Sequence, residues 1–317
     1  MRHGSWLMLA AAMTGLTPAF AAQRTFVSTS GNDTHTANNC SLALPCRSFD
    51  KALTVTDASG EIVVLDSGGY GSVTVDKSVV ITSPAGVYAG ISVFAGKTGV
   101  VVDSPGVNVT LRGLTINGQG GDAGIDFVHG AWLTVENCEV ANFGGASIAG
   151  IVVRAPGGVA VVRDTIIHDM TNTTGIFVVQ YTSGQVTKLF AENVAVHNAE
   201  WGFYAGTIPN LGTAEAYLNR VTVTGATSFG VTADGSGAGA AFVSITNSAI
   251  TDNDTGVLAL SAGATAVVAT SVLTRNANFA LSQVTGATLL SRGDNTVYGN
   301  NGGGAQNDGT IGPMPPL

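Results

Sequence analysis

Two histidines occupy matching places in short apolar stretches: His168 in TIIHD and His197 in VAVHN. Asp169 follows the first, and Glu200 lies just after the second. Two imidazoles with a carboxylate can bind a transition metal or exchange protons with a substrate, and an outward histidine can also be merely solvated. A second group, Asp126, Phe177, Trp201 and Tyr204, combines aromatic faces with a carboxylate, the chemistry that grips a polyhydroxylated ring. Arg154 could meet a substrate carboxylate or close a local ion pair. Cys138, in VENCEVAN, stands between two glutamates as a candidate nucleophile.

What these residues can do depends on the elements that carry them, and those elements repeat. The pattern apolar-x-x-x-x-apolar recurs as TLRGLTI, TVENCEV, VVRDTII, FAENVAV, YLNRVTV, SITNSAI, VATSVLT and SRGDNTV. Its middle residues are Gly113, Asn137, Asp164, Asn193, Arg220, Asn247, Thr270 and Asp294, spaced by 24, 27, 29, 27, 27, 23 and 24 residues. A glycine followed by an apolar residue falls between them at Gly124, Gly150, Gly175, Gly202, Gly230 and Gly256. Each unit thus holds short Val/Ile/Thr-rich strands separated by Gly/Asn/Asp turns. A unit of this size cannot bury its apolar face alone, whereas stacked units share one interior. The reading is an all-β fold, a right-handed parallel β-helix of about nine or ten coils.

In such a solenoid, equivalent residues form columns at the ~4.8 Å strand spacing. Alternation places Val135, Cys138 and Val140 inside and Glu136 and Glu139 outside. That makes Cys138 a packed, inert thiol. Arg112, Glu136, Arg163 and Glu192 form an outward ladder of alternating sign. The outward position after the Gly-apolar signal reads Asp126, Val152, Phe177, Tyr204, Thr232 and Leu258, with Trp201 in the loop just before Tyr204. His168 and His197 become neighbours in one column.

The first 21 residues read as a secretory signal peptide: a basic start, a short apolar core and Ala19-Phe20-Ala21 as the cleavage pattern. No later stretch is apolar enough to span a bilayer. The expected organisation is a signal peptide at 1–21, an N-terminal cap at 22–60, a β-helix at 61–301 and a flexible tail at 302–317. Cys40 and Cys46 suit a small-loop disulfide in an oxidising compartment, or stand as reduced thiols. Ser48 could N-cap a short helix beginning at Phe49. A net charge of −8 excludes the basic footprint that nucleic acid needs. Only 11% of residues are charged, against about a quarter in ordinary domains, and 43 glycines fit a turn-rich sheet protein.

The runs FVSTSGND…C…PCRSF, GEIVVLDSGGYG, SVTVDKSVVIT and VTLRGLTINGQG resemble a family of exported bacterial right-handed β-helix proteins. That family is similar in fold to pectate and pectin lyases, polygalacturonases and the β-helix domains of alginate epimerases. The resemblance implies fold and export to the periplasm or beyond more than activity. Pectate-lyase-like enzymes hold calcium with stacked acids. This chain has no run of paired acids, and the reading calls for no metal or other cofactor, with calcium an alternative that no motif supports. Of the polygalacturonase elements only Val128-His129-Gly130 faintly resembles one. The expected role is therefore an extended surface that binds a polysaccharide or cell-surface glycan without turnover. The alternative is a lyase, hydrolase or epimerase acting on a uronate glycan, with His168, His197, Glu200 and Arg154 as its site.

Overall fold

The structure, a computed structural model, describes residues 22–34, 40–145, 147–207, 212–236, 239–284 and 286–314. The expected signal peptide, 1–21, lies outside the described residues. The chain winds as a right-handed parallel β-helix of about nine turns. Its strands form a 12-stranded first sheet and an 18-stranded second sheet. One coil illustrates the path: Trp132–Glu136 lies in the first sheet, while Glu139–Ala141 and Ala149–Val153 lie in the second. Each strand pairs in parallel with its equivalents in the coils before and after it.

Alternation along each strand fills the interior with aliphatic stacks. On the first sheet Val135, Val162, Ala191, Leu218, Ile245 and Val268 follow one another in register. On the second, Val140, Ile167, Val196, Val223, Ile250 and Leu273 do the same. All of these are buried, and each branched side chain taken from water contributes about 1.5–3 kcal/mol. Cys138 joins this core, and burial pushes its thiol up to about 11, so it is not a nucleophile.

The corner after each first-sheet strand explains the middle residue of the repeat. Gly113, Asn137, Asp164, Asn193, Arg220, Asn247 and Thr270 all take left-handed backbone angles, with φ between 51° and 71°. Asn and Asp tolerate that region because their short side chains bond locally. Here Asn193 Nδ2 also reaches Asp164 Oδ1, and Asn247 Nδ2 donates to Asn219 Oδ1 at 2.9 Å. The Gly-apolar signal has a different cause. A Cβ on Gly124, Gly150, Gly175, Gly202 or Gly230 would lie 2.4–2.9 Å from the carbonyl oxygen of the next coil's glycine. Coils approach too closely there for a side chain.

A polar ladder runs inside the last coils. Asn253 Nδ2 donates to Asn276 Oδ1 at 3.1 Å, and Asn276 Nδ2 donates to Asn300 Oδ1 at 2.9 Å. The Oδ1 atoms of Asn253, Asn276 and Asn300 accept the backbone N–H groups of Ala226, Asn253 and Asn276 in turn. Buried corner amides are thereby satisfied without water.

Both ends depart from the sequence reading. The first sheet starts before Glu61, because Ala22–Val27 pairs in parallel with Thr56–Val64. A long excursion hides that repeat: a disulfide joins Cys40 to Cys46, and the helix α1 (Phe49–Val55) follows, with Ser48 Oγ accepting from the Lys51 N–H. At the other end, the expected tail carries Asn307–Asp308 and Ile311–Pro313, which add a strand to each sheet. Gly, Asn and Pro disguise these strands, and Pro313, which has no N–H, sits on an outermost strand.

Replacing Asn276 by Leu removes partners from Asn253, Asn300 and the Ile250 carbonyl, and is expected to cost about 3 kcal/mol. Asn278→Ala, on the exposed side of the same turn, should stay within about 0.5 kcal/mol. Urea unfolding midpoints of the two variants provide the comparison.

Candidate functional site

The column expected on the outer side of the second sheet forms in the register read, but Asp126, Val152, Thr232 and Leu258 in it are buried and only Phe177 and Tyr204 are partly exposed. Asp126, Val152, Phe177, Tyr204, Thr232 and Leu258 are consecutive cross-strand partners. Beside it runs a second column of Ala123, Ala149, Thr174, Trp201, Phe229 and Thr255. Trp201 is therefore not in a loop. The strand Ala195–Gly206 continues through the corner, which places the indole in register between Thr174 and Phe229. Phe177 meets Tyr204 edge-on, with ring centroids 5.3 Å apart, and Trp201 meets Tyr204 at 6.3 Å. Phe177, Trp201, Tyr204 and Phe229 are all partly exposed.

One carboxyl group meets a ring, and another lies two coils from Phe177 in the same column. Asp126 is almost fully buried and takes a bidentate contact from Arg154, at 2.9 Å from Nε and 2.6 Å from Nη2. That contact raises the Arg154 pKa against the opposing effect of burial. Tyr204 donates its hydroxyl to Asp234 Oδ2 at 2.5 Å, while the Ser236 N–H and the Ser261 hydroxyl donate to Oδ1 at 3.0 and 3.4 Å. Burial, and then the Asp234 contact, push the Tyr204 phenol well above its ordinary range. Between Tyr204 and Leu258 lies Thr232, 1% exposed, whose Oγ1 has no hydrogen-bond partner among the described residues. Such an orphan costs about 1–3 kcal/mol until something bonds to it.

The histidines are neighbours, as their spacing implies: His168 pairs with His197 across adjacent coils. Their companions differ from the expected ones. His168 Nδ1 lies 2.8 Å from Asp169 Oδ2, and Nε2 lies 3.1 Å from Glu139 Oε1. Partial burial works against the charge on His168, but these two hydrogen bonds outweigh it and raise the pKa. Asp169 is correspondingly lowered, first by His168 and then by Asn198. Neither His197 nor Glu200 makes a side-chain hydrogen bond or ion pair among the described residues. His168, His197, Glu200 and Arg154 are thus not drawn into one constellation, and Arg154 is engaged by Asp126. No group of His, Cys, Asp or Glu among the described residues is placed to hold a metal ion.

Sequence reasoning missed Glu139 as the partner of His168, although its outward register was legible. It also missed a second dyad, His129 Nδ1 to Asp103 Oδ1 at 2.6 Å, on the same face as Arg154. A further aromatic group lies on the first sheet. Phe190 stacks on Tyr217 at 4.9 Å and Tyr217 tilts against Phe242 at 5.6 Å, beside the Lys188–Glu215 ion pair. The signal for it was the outward aromatic at matching places in FAENVAV and YLNRVTV. The charge ladder forms over its first three rungs: Glu136 bridges Arg112 at 2.8 Å and Arg163 at 3.2 Å, and its pKa falls, chiefly through Arg112, whereas Glu192 pairs with Arg220.

The same fold occurs in solved structures of low identity. XylC in complex with xylose aligns at TM-score 0.61 and 10% identity, over 86% of this chain and 69% of its own. Pectate lyase Pel9A aligns at TM-score 0.48 and 13% identity, over 92% and 80%. A rhamnogalacturonan lyase aligns at TM-score 0.38 and 11% identity, over 90% and 88%. The likeness to XylC agrees with the fold, a right-handed parallel β-helix. No family model matches the sequence, and no curated protein does.

His168 supplies a pH test. A histidine whose pKa rises on folding contributes stability that is complete below its ordinary value of 6.5 and is lost as pH climbs through the raised value. His168→Gln should therefore destabilise more at about pH 5 than at about pH 8.5. Denaturation curves at the two pH values give the comparison; an equal penalty at both would remove the Glu139–His168–Asp169 linkage.

Proposed function

We propose that this chain is an exported carbohydrate-binding β-helix that presents the outward face of its second sheet to a polysaccharide or cell-surface glycan, without turnover. The observation that carries the reading is the partly exposed run of Phe177, Trp201 and Tyr204 in adjoining coils, flanked by the Asp126 and Asp234 carboxylates. Aromatic faces cover the apolar faces of sugar rings, and fixed carboxylates accept their hydroxyls. A long, regular face suits a polymer better than a closed pocket would. The neighbours in fold add weight, since one holds xylose and others are polysaccharide lyases. The Cys40–Cys46 disulfide suits an oxidising compartment. No helix among the described residues is long and apolar enough to cross a membrane.

The engagement of the reactive groups supports binding without turnover. Arg154 is held by Asp126, and His168 lies between two carboxylates on a different part of its strand from Phe177. The competing reading is a polysaccharide-active enzyme. Its supporting observation is the His129–Asp103 pair near Arg154, which brings an acid/base couple to the binding face.

Trp201 reports directly on the proposal. With residues 1–21 removed, Trp132 and Trp201 are the only tryptophans. In a Trp132→Phe background, a bound polysaccharide should shift or quench Trp201 emission. Trp201→Ala should weaken binding about tenfold with little change in melting temperature. A glycan array that shows no binding would remove the reading. New reducing ends or unsaturated products in a turnover screen would replace it with the enzymatic one.

A further inference from the structure

We infer that this face selects neutral, hydroxyl-rich sugars over uronates. The inference rests on the carbohydrate-binding reading and specifies its substrate class. It comes from the distribution of charge around the rings. The strands that build the face, Ala123–His129, Ala149–Val153, Ile166–Val179, Ala195–Gly206, Phe229–Asp234 and Thr255–Leu260, contain no Lys or Arg. Arg154, immediately after one of them, is the cation closest to the rings in sequence register. Both arms of its contact go to Asp126, whose side chain is only 8% exposed. Recognition of a uronate carboxylate needs an available fork or ammonium group, and Arg154 would have to abandon a buried partner to provide it. His168 lies in the same sheet but is held by Glu139 and Asp169.

Asp234 sets the sign of the face. It accepts hydrogen bonds from Tyr204, Ser236 and Ser261, and among the described residues it has no cationic partner. It is a buried carboxyl group that faces the Tyr204 hydroxyl with no cation to balance it, in a chain whose net charge is already −8. A second carboxylate laid over Trp201 and Tyr204 would meet repulsion that nothing there offsets. A neutral sugar meets the opposite situation. Its hydroxyls carry no charge for the nearby carboxylates to repel. Trp201 and Phe229, in register on adjoining strands, offer the apolar surface for its ring.

The test compares debranched arabinan, galactan and mixed-linkage β-glucan with polygalacturonate and alginate of similar chain length. Calorimetry in EDTA keeps calcium from bridging the anionic polymers to the protein. At least one neutral polymer should bind, with the uronates weaker by about tenfold or more. Raising the salt should leave neutral binding unchanged and partly recover uronate binding, because the repulsion is screened. Asp234→Asn should raise uronate affinity several-fold. If that variant fails to fold, the salt series on the natural chain decides alone. Uronates that bind as tightly as neutral polymers, or that lose affinity as salt rises, would overturn the selectivity while the carbohydrate reading stands. No binding to any polymer would remove that reading and the selectivity together.

Discussion

The whole structure depends on one constraint: each coil must place its backbone one strand spacing above the last, so the same local geometry must recur at the same place in every coil. Hydrogen bonds between coils enforce it, because a strand out of register would leave buried N–H and C=O groups unpaired. The seven left-handed corners from Gly113 to Thr270 are that requirement expressed in backbone angles. The glycines at 124, 150, 175, 202 and 230 express it in distance, since neighbouring carbonyls leave no room for a Cβ. Arg220 and Thr270 gain little from their own side chains in the left-handed region. They take it because the coils above and below determine the turn, and in Thr270 the Asp294 carboxylate holds the backbone N–H at 2.9 Å.

The same constraint creates the surface. Stacking turns every outward position into a column, so charges and rings become ladders whether or not they serve a ligand. Alternating signs make one such ladder harmless at Arg112, Glu136 and Arg163. The stacked Phe190 and Tyr217 rings direct their faces toward one another. The edge-on Phe177–Tyr204 and Trp201–Tyr204 contacts cover one ring face per pair, where a stacked pair covers two. That difference in ring geometry, more than the number of aromatics, separates the second-sheet face from the first-sheet one as a place to lay a sugar.

Whatever depends on period was legible in the sequence: the parallel solenoid, the corner column, the inward Cys138, the outward row from Asp126 to Leu258, and the adjacency of His168 and His197. The local salt bridge weighed for Arg154 was legible too, because Asp126 lies one coil away. Reach between columns was not legible. Glu139 belongs to the column of Ile166, two positions from that of His168, and only side-chain length brings it within 3.1 Å. Glu200, nearer to His197 in sequence, does not engage it. Trp201 was misplaced in a loop because a strand that turns a corner without a break has no turn residue to mark it. The first and last strands were missed because pairing at an end needs backbone groups and little side-chain signal.

Polar groups inside the solenoid and polar groups on its face are treated differently, and the contrast bears on function. Inside, Asn253, Asn276 and Asn300 satisfy one another and the corner amides in an unbroken chain. Ser248 and Ser271 do the same on the neighbouring corner. A sequence that closes its interior this completely does not lack means to pair a threonine. Thr232 is nevertheless the one buried side-chain polar atom among the described residues without a partner, and it lies on the outward face beside Tyr204. Valine has the same shape and no hydroxyl to bury, so packing alone gives no reason for threonine there. The unpaired hydroxyl therefore marks the strand beside Tyr204 as the place where polar satisfaction of the described solenoid breaks off, at a cost of about 1–3 kcal/mol.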